Sequence, residues 1–132
     1  MLESIAYDQY LALRALQDTY PEAAVKEVTV YGGGSKSSLW NQIKADVMGL
    51  PYVSLAREDV GALGTAILAG YAVGIYDDMA ATAERFARQT SLYRPEAEAH
   101  RFYKQYADYY GRLLDQVEPA FDDLAALPEW KA

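Results

Sequence analysis

The sequence contains no cysteine and only one histidine, His100. Without thiols the chain can form neither a disulfide framework nor a thiolate metal site, and a single imidazole cannot build a histidine-based site. We therefore assign no metal ligand in this chain. The absence of cysteine is consistent with a reducing compartment, and we predict a cytoplasmic location.

Basic side chains are also scarce: 12 lysines and arginines stand against 19 acidic residues, which gives a net charge of -7. Nucleic-acid binding depends on clustered cations that neutralise phosphates, so we expect no nucleic-acid partner and no anionic membrane surface. No apolar run approaches the roughly 18 to 20 residues of a membrane span, and no signal peptide is readable at the start. The expected partners are therefore small molecules or other proteins.

Apolar residues make up 52% of the 132 residues, which is enough material for one compact domain. Twelve tyrosines are unusual for this length, and several cluster between Tyr103 and Tyr110. Their three- and four-residue steps are more typical of a helix that packs in a core or a domain interface than of a sugar-binding platform. His100, on the same helix, is predicted to lie at the surface.

Hydrophobic periodicity predicts a mostly helical α/β protein with two short strands. The first helix should bury a stripe that contains Leu2, Ile5, Ala6, Leu13 and Leu16. Two strands make no independent sheet, so we expect them to belong to a larger sheet whose other strands lie outside this chain. The predicted helices cover about 2–18, 35–48, 60–73, 79–90 and a final stretch from Pro95, with Pro119 as a kink or break; the strands cover 27–31 and 52–55.

Acidic residues recur at or near predicted helix starts. The pairs at 58–59, 77–78 and 122–123 are interpreted as helix-start residues, because carboxylates favour the positive end of the helix dipole. Asp46 lies within a helix, about three turns from its start, and a buried or capping role is favoured over catalysis.

The most informative segment is a strand at 28–31 followed directly by Gly32, Gly33 and Gly34, after which Ser35 or Ser37 can cap a helix. Glycines let a ligand lie against the backbone, and N–H groups at a helix start can point towards an anion. The segment is neither a phosphate-binding Walker loop, since its lysine follows a serine, nor a complete dinucleotide fingerprint, since a serine replaces the third glycine. An ordinary strand-to-helix turn explains it equally well.

Two further blocks follow in order: Ala-Asp-Val-Met-Gly at 45–49 and Gly-Ala-Leu-Gly-Thr-Ala at 61–66. With the glycine segment they closely resemble the adenosine and second connecting motifs of the FGGY carbohydrate kinases, members of the actin-like ATPase (ribonuclease H-like) superfamily. The resemblance is strong over residues 27–76. The Tyr-Arg-Pro segment at 93–95 and the tyrosine-rich helix resemble the xylulose kinase branch more loosely.

The resemblance implies a partial actin-like ATPase (ribonuclease H-like) domain. Residues 1–132 would be a C-terminal fragment of the ATP-binding domain, with a nucleotide-contacting core at 27–76 and a helical tail at 77–132. The glycine turn would contact the ribose and phosphates of ATP, which binds with Mg²⁺. The implied nucleotide contacts are the backbone of Gly33 and Gly34 and the side chain of Ser37. Gly32, Ser35 and Lys36 would line the same opening of the nucleotide site.

The parent enzyme implied by the resemblance phosphorylates a pentulose. Its sugar-binding domain, phosphate motifs and catalytic aspartate are not recognisable here, so we assign no catalytic residue and expect this chain alone to be inactive. The sugar would bind through the missing N-terminal domain. Two alternatives stay open: a natural non-catalytic nucleotide-binding module, and an interaction domain whose glycine turn is only a turn. Exposed apolar patches on a truncated chain also predict a homo-oligomer.

Overall fold

The computed structural model describes residues 2–56 and 59–128. This part of the chain contains five helices and three strands, and a short 3₁₀ turn, Gly33–Lys36, follows the first strand. The elements are α1 (Leu2–Thr19), β1 (Val28–Val30), α2 (Ser38–Met48), β2 (Tyr52–Leu55), α3 (Val60–Ala72), α4 (Met79–Phe86), β3 (Gln89–Tyr93) and α5 (Ala97–Ala125). The predicted α/β class and most helix bounds are confirmed, although α4 ends four residues early.

The sheet has three strands in the order β1-β2-β3, so the prediction of two strands is wrong. β1 runs parallel to β2, with Val28 opposite Tyr52, and β3 returns antiparallel, with Tyr93 opposite Tyr52. β3 lacks a buried alternating face, because all its residues except Tyr93 are exposed. Its pairing with β2 holds it in place, and that long-range interaction has no local sequence signature.

Helix α2 forms the centre of the core, with buried Ile43, Ala45 and Val47. It packs against α1 and α5. In α1 the buried residues are Ala6 and Tyr10. The predicted α1 stripe is therefore largely wrong, since three of its members are close to half exposed: Leu2 at 43%, Ile5 at 49% and Leu16 at 46%.

The start of α5 is fixed to the end of α2. The buried Asp46 carboxylate accepts a hydrogen bond from the Glu96 backbone N–H at 2.8 Å and another from Gln42 Nε2 at 3.0 Å. The predicted buried or capping role of Asp46 is confirmed. Pro95 lies before the Glu96 cap and not at the first helical position, so that prediction is off by two residues.

His100 is half-buried, so its predicted surface location is wrong. Its Nδ1 donates to the Asp46 carbonyl oxygen at 2.8 Å. The ring lies against Gly49, where a Cβ atom would come within 2.6 Å of it. Gly49 also has φ 67°, a left-handed conformation that ends α2 and favours glycine.

The three acidic pairs that were predicted to lie at helix starts differ in the structure. The Asp78 carboxylate accepts from the Ala81 N–H at 3.0 Å and caps α4, as predicted. Asp59 precedes α3 without a side-chain cap bond, and Glu58 lies outside the described residues. The helix-start interpretation is wrong for the pair at 122–123, because α5 continues through Pro119 as far as Ala125.

Helix α3 projects from this core and contacts α4. Among the small residues of α3, Gly70 lets the Tyr76 ring lie close to the helix backbone, since a Cβ at Gly70 would come within 2.6 Å of that ring. A Cβ at Gly61 or Gly64 would meet no atom within 4 Å. Within residues 2–56 and 59–128, no helix is long and apolar enough to cross a membrane.

Candidate functional site

The glycine turn is a compact structure that is closed by its own hydrogen bonds. Gly32 leaves β1 with φ 81°, a conformation that L side chains rarely adopt. The Gly32 carbonyl then accepts from the Ser35 N–H at 3.1 Å and from the Ser35 hydroxyl at 2.7 Å. The Ser35 hydroxyl proton is therefore engaged within the turn. A ligand could use only the hydroxyl oxygen of Ser35, as a hydrogen-bond acceptor.

Ser37 and Asn41 join the turn to α2. Ser37 is the helix cap, and its hydroxyl oxygen accepts from the Trp40 N–H at 3.2 Å. This leaves the exposed Ser37 O–H proton as a donor to a ligand. Asn41 is fully buried, and its Nδ2 donates to the Ser35 carbonyl at 2.7 Å. Among the described residues, its Oδ1 is a buried acceptor without a partner.

The glycines of the turn differ in what the backbone requires of them. Only Gly32 has a positive φ, so an ordinary turn explains that glycine and no other in the segment. A Cβ at Gly33 would meet nothing within 4 Å, and one at Gly34 would lie 3.9 Å from Trp40 Nε1. Internal packing therefore does not demand glycine at either position, whereas close approach of a ligand to the backbone would.

A groove of about 260 Å³ runs beside the turn. β1 and β2 are parallel and end at this edge of the sheet, which is where ligands bind in open α/β folds. The groove is below the roughly 300–1,000 Å³ typical of a complete small-molecule pocket. It is lined by Ser35 and Lys36 from the turn, Ser54, Leu55 and Ala56 from the end of β2, and Thr90, Ser91 and Tyr93 from β3.

Hydroxyl groups are prominent in this groove. The Ser54 and Thr90 oxygens lie 3.0 Å apart, and Thr90 is also within 3.1 Å of the Ser54 carbonyl. Sequence reasoning placed Ser54 on a predicted strand without assigning it to a site, and it missed Thr90 and Ser91 because it did not predict β3. The β3 segment shows no buried alternating pattern that would have indicated a strand.

A buried cation lies behind the turn. The Lys44 ammonium is 5.1 Å from the Trp40 ring centroid and 5.3 Å from that of Tyr52, so it is held between two aromatic rings. Burial lowers the pKa of Lys44 and raises the pKa of Tyr52 to about 12. The Trp40 ring borders the turn, since a Cβ added at Gly34 would lie 3.9 Å from its Nε1.

The predicted contact residues thus meet in one turn: Gly32, Gly33, Gly34, Ser35 and Ser37 all lie between β1 and α2. Ser35 and Lys36 also face the hydroxyl-lined groove. In the part of the chain that the structure describes, no three acidic or histidine side chains come together as a potential metal cluster.

Comparison with known proteins gives consistent matches. The family model described as "FGGY family of carbohydrate kinases, C-terminal domain" matches residues 1–73, more than half of the chain. Over 127 residues the chain is 28% identical to a xylulose kinase of Staphylococcus epidermidis, covering 96% of this chain and 25% of that protein. Over 101 residues it is 39% identical to an autoinducer-2 kinase of Escherichia coli, covering 76% of this chain and 19% of the relative.

Solved structures share the fold. A ligand-bound xylulose kinase from Lactobacillus acidophilus superposes with a TM-score of 0.80 at 20% identity, over 93% of this chain and 24% of that one. A xylulose kinase from Rhodospirillum rubrum gives 0.71 at 25% identity, over 92% and 24%. The chain thus spans about a quarter of the length of the relatives it matches. Fold, ordered motifs and family match agree, and the chain belongs to the FGGY family of carbohydrate kinases, in which it corresponds to the C-terminal domain.

Proposed function

We propose that this chain supplies the adenosine side of the ATP site in a sugar kinase that phosphorylates a pentulose, as a xylulose kinase does. Relatives and fold neighbours named xylulose kinase support the substrate class, and the motif order supports the nucleotide role. In this proposal, residues 27–76 contact the nucleotide and residues 77–132 form a helical tail.

The observation that carries the nucleotide role is the open backbone at Gly33 and Gly34. Neither glycine is needed for a positive φ or for internal packing, and both are exposed. Each side-chain-free position lets a ribose or phosphate approach the peptide plane. The Ser37 hydroxyl can donate to the same ligand, because its other hydrogen bond uses a lone pair.

Neighbouring parts of the site complete the geometry. The hydroxyl-lined groove beside Ser35 offers donors and acceptors to a nucleoside. ATP brings the γ-phosphoryl group that is transferred, and Mg²⁺ keeps several waters and binds chiefly through phosphates and one or two carboxylates. The residues of this chain bind and orient the nucleotide, and sugar binding falls to a separate domain.

The first test is calorimetric titration of the chain with ATP and ADP in the presence of magnesium. The wild type should bind saturably, and Gly33→Val should lose at least tenfold in affinity because its isopropyl group occupies the ligand's approach. A Cβ at this position meets no protein atom, so the variant should fold normally. A control is Ala80→Val, which places the same isopropyl side chain on the exposed surface of α4.

The nucleotide role is rejected if Gly33→Val and Ala80→Val bind ATP as tightly as the wild type does. If the wild-type chain is folded but does not bind ATP, these 132 residues alone do not form a working nucleotide site. Kinase membership would not be affected, because it rests on the family match and the shared fold.

A second prediction concerns catalysis. Phosphoryl transfer requires phosphate-binding loops, metal-binding carboxylates and a base in one arrangement. We predict that the isolated chain, mixed with ATP, magnesium and xylulose, releases ADP no faster than a blank in a coupled assay. Sustained turnover that disappears in Gly33→Val would contradict this prediction and would identify a complete active site within 132 residues.

The remaining expectations are also proposals. The charge of -7 supports the exclusion of nucleic acid and anionic membranes, and the cysteine-free sequence supports a cytoplasmic location. A natural non-catalytic module is the alternative, and coding sequence for a sugar-binding domain upstream of Met1 would decide against it. Self-association is supported by exposed apolar side chains on α3 and α5.

A further inference from the structure

Asn41 is a fully buried amide that lies directly behind the glycine turn. It belongs to the first turn of α2, and its side chain reaches back towards the start of the helix, where its Nδ2 donates to the Ser35 carbonyl at 2.7 Å. A carbonyl oxygen can only accept a hydrogen bond, so the amide nitrogen, and not the amide oxygen, must face Ser35. The Ser35 contact therefore fixes which way the Asn41 amide is turned.

Stability of the fold does not by itself explain an amide at this position. The Asn41 Oδ1 is buried, and no donor among the described residues reaches it. An unpaired buried acceptor costs free energy, and an apolar side chain of similar size would avoid that cost. The Ser35 carbonyl would not then need a protein donor, because Ser35 lies in a surface turn and its peptide could rotate to face water. The amide is therefore best explained by the orientation that its Nδ2 imposes on the Ser35 carbonyl.

Two carbonyl groups of the turn are held by donors of the protein. The Ser35 carbonyl points to the buried Asn41, and the Gly32 carbonyl accepts from the Ser35 N–H at 3.1 Å and from the Ser35 hydroxyl at 2.7 Å. In a trans peptide the C=O and N–H groups point in opposite directions, so the Gly33 N–H points away from Ser35. One chain of hydrogen bonds thus runs from Asn41 through Ser35 to Gly32 and sets the direction of both peptides.

We propose that Asn41 is a positioning residue for the nucleotide site, because it keeps the Ser35 carbonyl turned into the body of the protein. The assignment rests on the proposed nucleotide role of the turn and adds a residue that does not itself touch the ligand. If the Ser35 peptide rotated outward, its oxygen would face the solvent from which a ligand approaches Gly33 and Gly34, and it would repel a phosphate oxygen. A turn that is ordered before the ligand arrives also lowers the entropic cost of binding.

Asn41→Thr tests this role with little change in side-chain volume. The threonine hydroxyl is attached directly to Cβ, so it ends short of the Ser35 carbonyl, and in a helix it bonds instead to a carbonyl of its own helix. We expect the Ser35 N–H, which bonds to Gly32, to exchange with deuterium about tenfold faster or more in the variant, as measured by NMR. The Val28 N–H, which bonds to the Pro51 carbonyl at 2.9 Å, should keep its protection.

Gln42→Ala is the matched control at the next residue of the same helix. Gln42 also anchors a backbone carbonyl through a side-chain N–H, but its bond leads to Arg94, at 2.9 Å, and not to the turn. The control variant should lose stability without a change in the exchange of the Ser35 N–H relative to that of Val28. Equal relative acceleration at Ser35 in both variants would show that Asn41 acts only through the stability of α2, and would overturn the proposal.

Calorimetric titration with ATP and magnesium provides the second readout. Asn41→Thr should lose about fivefold or more in affinity, because its turn is no longer ordered before binding. Gln42→Ala should stay within about twofold of the wild type, since its hydrogen bonds lie away from the turn. If Asn41→Thr binds ATP as tightly as the wild type while Ser35 exchanges faster, the order of the turn does not contribute to binding and the positioning role is wrong.

The two readouts separate the role of Asn41 from the nucleotide role of the turn. If the folded wild type does not bind ATP, the nucleotide role of this chain fails, whereas hydrogen exchange still decides whether Asn41 fixes the turn. If the Ser35 N–H exchanges equally fast in Asn41→Thr and in the wild type, Asn41 does not position the turn, even when ATP binds normally.

Discussion

At the scale of single residues, Asp46 links three parts of the molecule. Its carboxylate binds the Glu96 N–H at the start of α5 and the Gln42 side chain, and its carbonyl binds His100. The residue is only 6% exposed. The same atoms therefore end α2, begin α5 and hold the histidine that packs on Gly49.

Asp46→Ala should lower the free energy of unfolding by about 2–3 kcal/mol, because it removes a buried charged acceptor and leaves the Glu96 N–H without its partner. Urea unfolding measures this as a shift in midpoint with little change in slope. Asp77→Ala is the matched control at an exposed carboxylate, and should change stability by less than about 0.5 kcal/mol. Equal losses in both variants would show that the Asp46 network contributes nothing.

Residue-level prediction from sequence succeeded where the cause is local. The predicted end of α2 at position 48 is confirmed, and the left-handed φ of Gly49 is the reason. It failed for His100, because its partner lies 54 positions away along the chain. A lone histidine on a mixed helix face has no local property that distinguishes a buried position from an exposed one.

At the scale of elements, the strand-turn-helix unit at 28–48 was predictable almost entirely. A β-branched run, three glycines, a capping serine and a glycine stop follow one another within 22 residues, and each acts on its immediate neighbours. The candidate contact residues from Gly32 to Ser37 therefore lie in the turn between β1 and α2. Their binding of a nucleotide stays a prediction.

The other side of the groove was not predictable in this way. β3 has exposed residues and depends on β2 for its hydrogen bonds, so Thr90 and Ser91 could not be assigned to the groove from sequence. The α1 stripe failed for a related reason, because helical periodicity identifies an apolar face but not which neighbour covers it. Leu2 and Leu16 lie on surface that the described chain leaves open.

At the scale of the whole molecule, tyrosine burial couples stability to alkaline pH. Tyr52 is 2% exposed at the centre of the sheet, and burial raises its pKa to about 12, from 10.0 for a free side chain. In the unfolded chain the phenol ionises near pH 10, whereas in the folded chain it stays neutral. The folded state therefore binds more protons above pH 10, and stability falls as the pH rises from about 10 towards 12.

Tyr52→Phe should remove this part of the pH dependence. The variant and the wild type should have similar stability at pH 8, and the variant should become the more stable of the two above pH 10, by up to about 2 kcal/mol near pH 12. Tyr7 and Tyr103, whose pKa values burial also raises, are present in both proteins and cancel in the difference. The lowered pKa of Lys44 acts with the opposite sign and cancels likewise. Urea unfolding at pH steps from 8 to 11 measures the two curves, and parallel curves throughout would show that the Tyr52 phenol ionises as freely in the fold as in the unfolded chain.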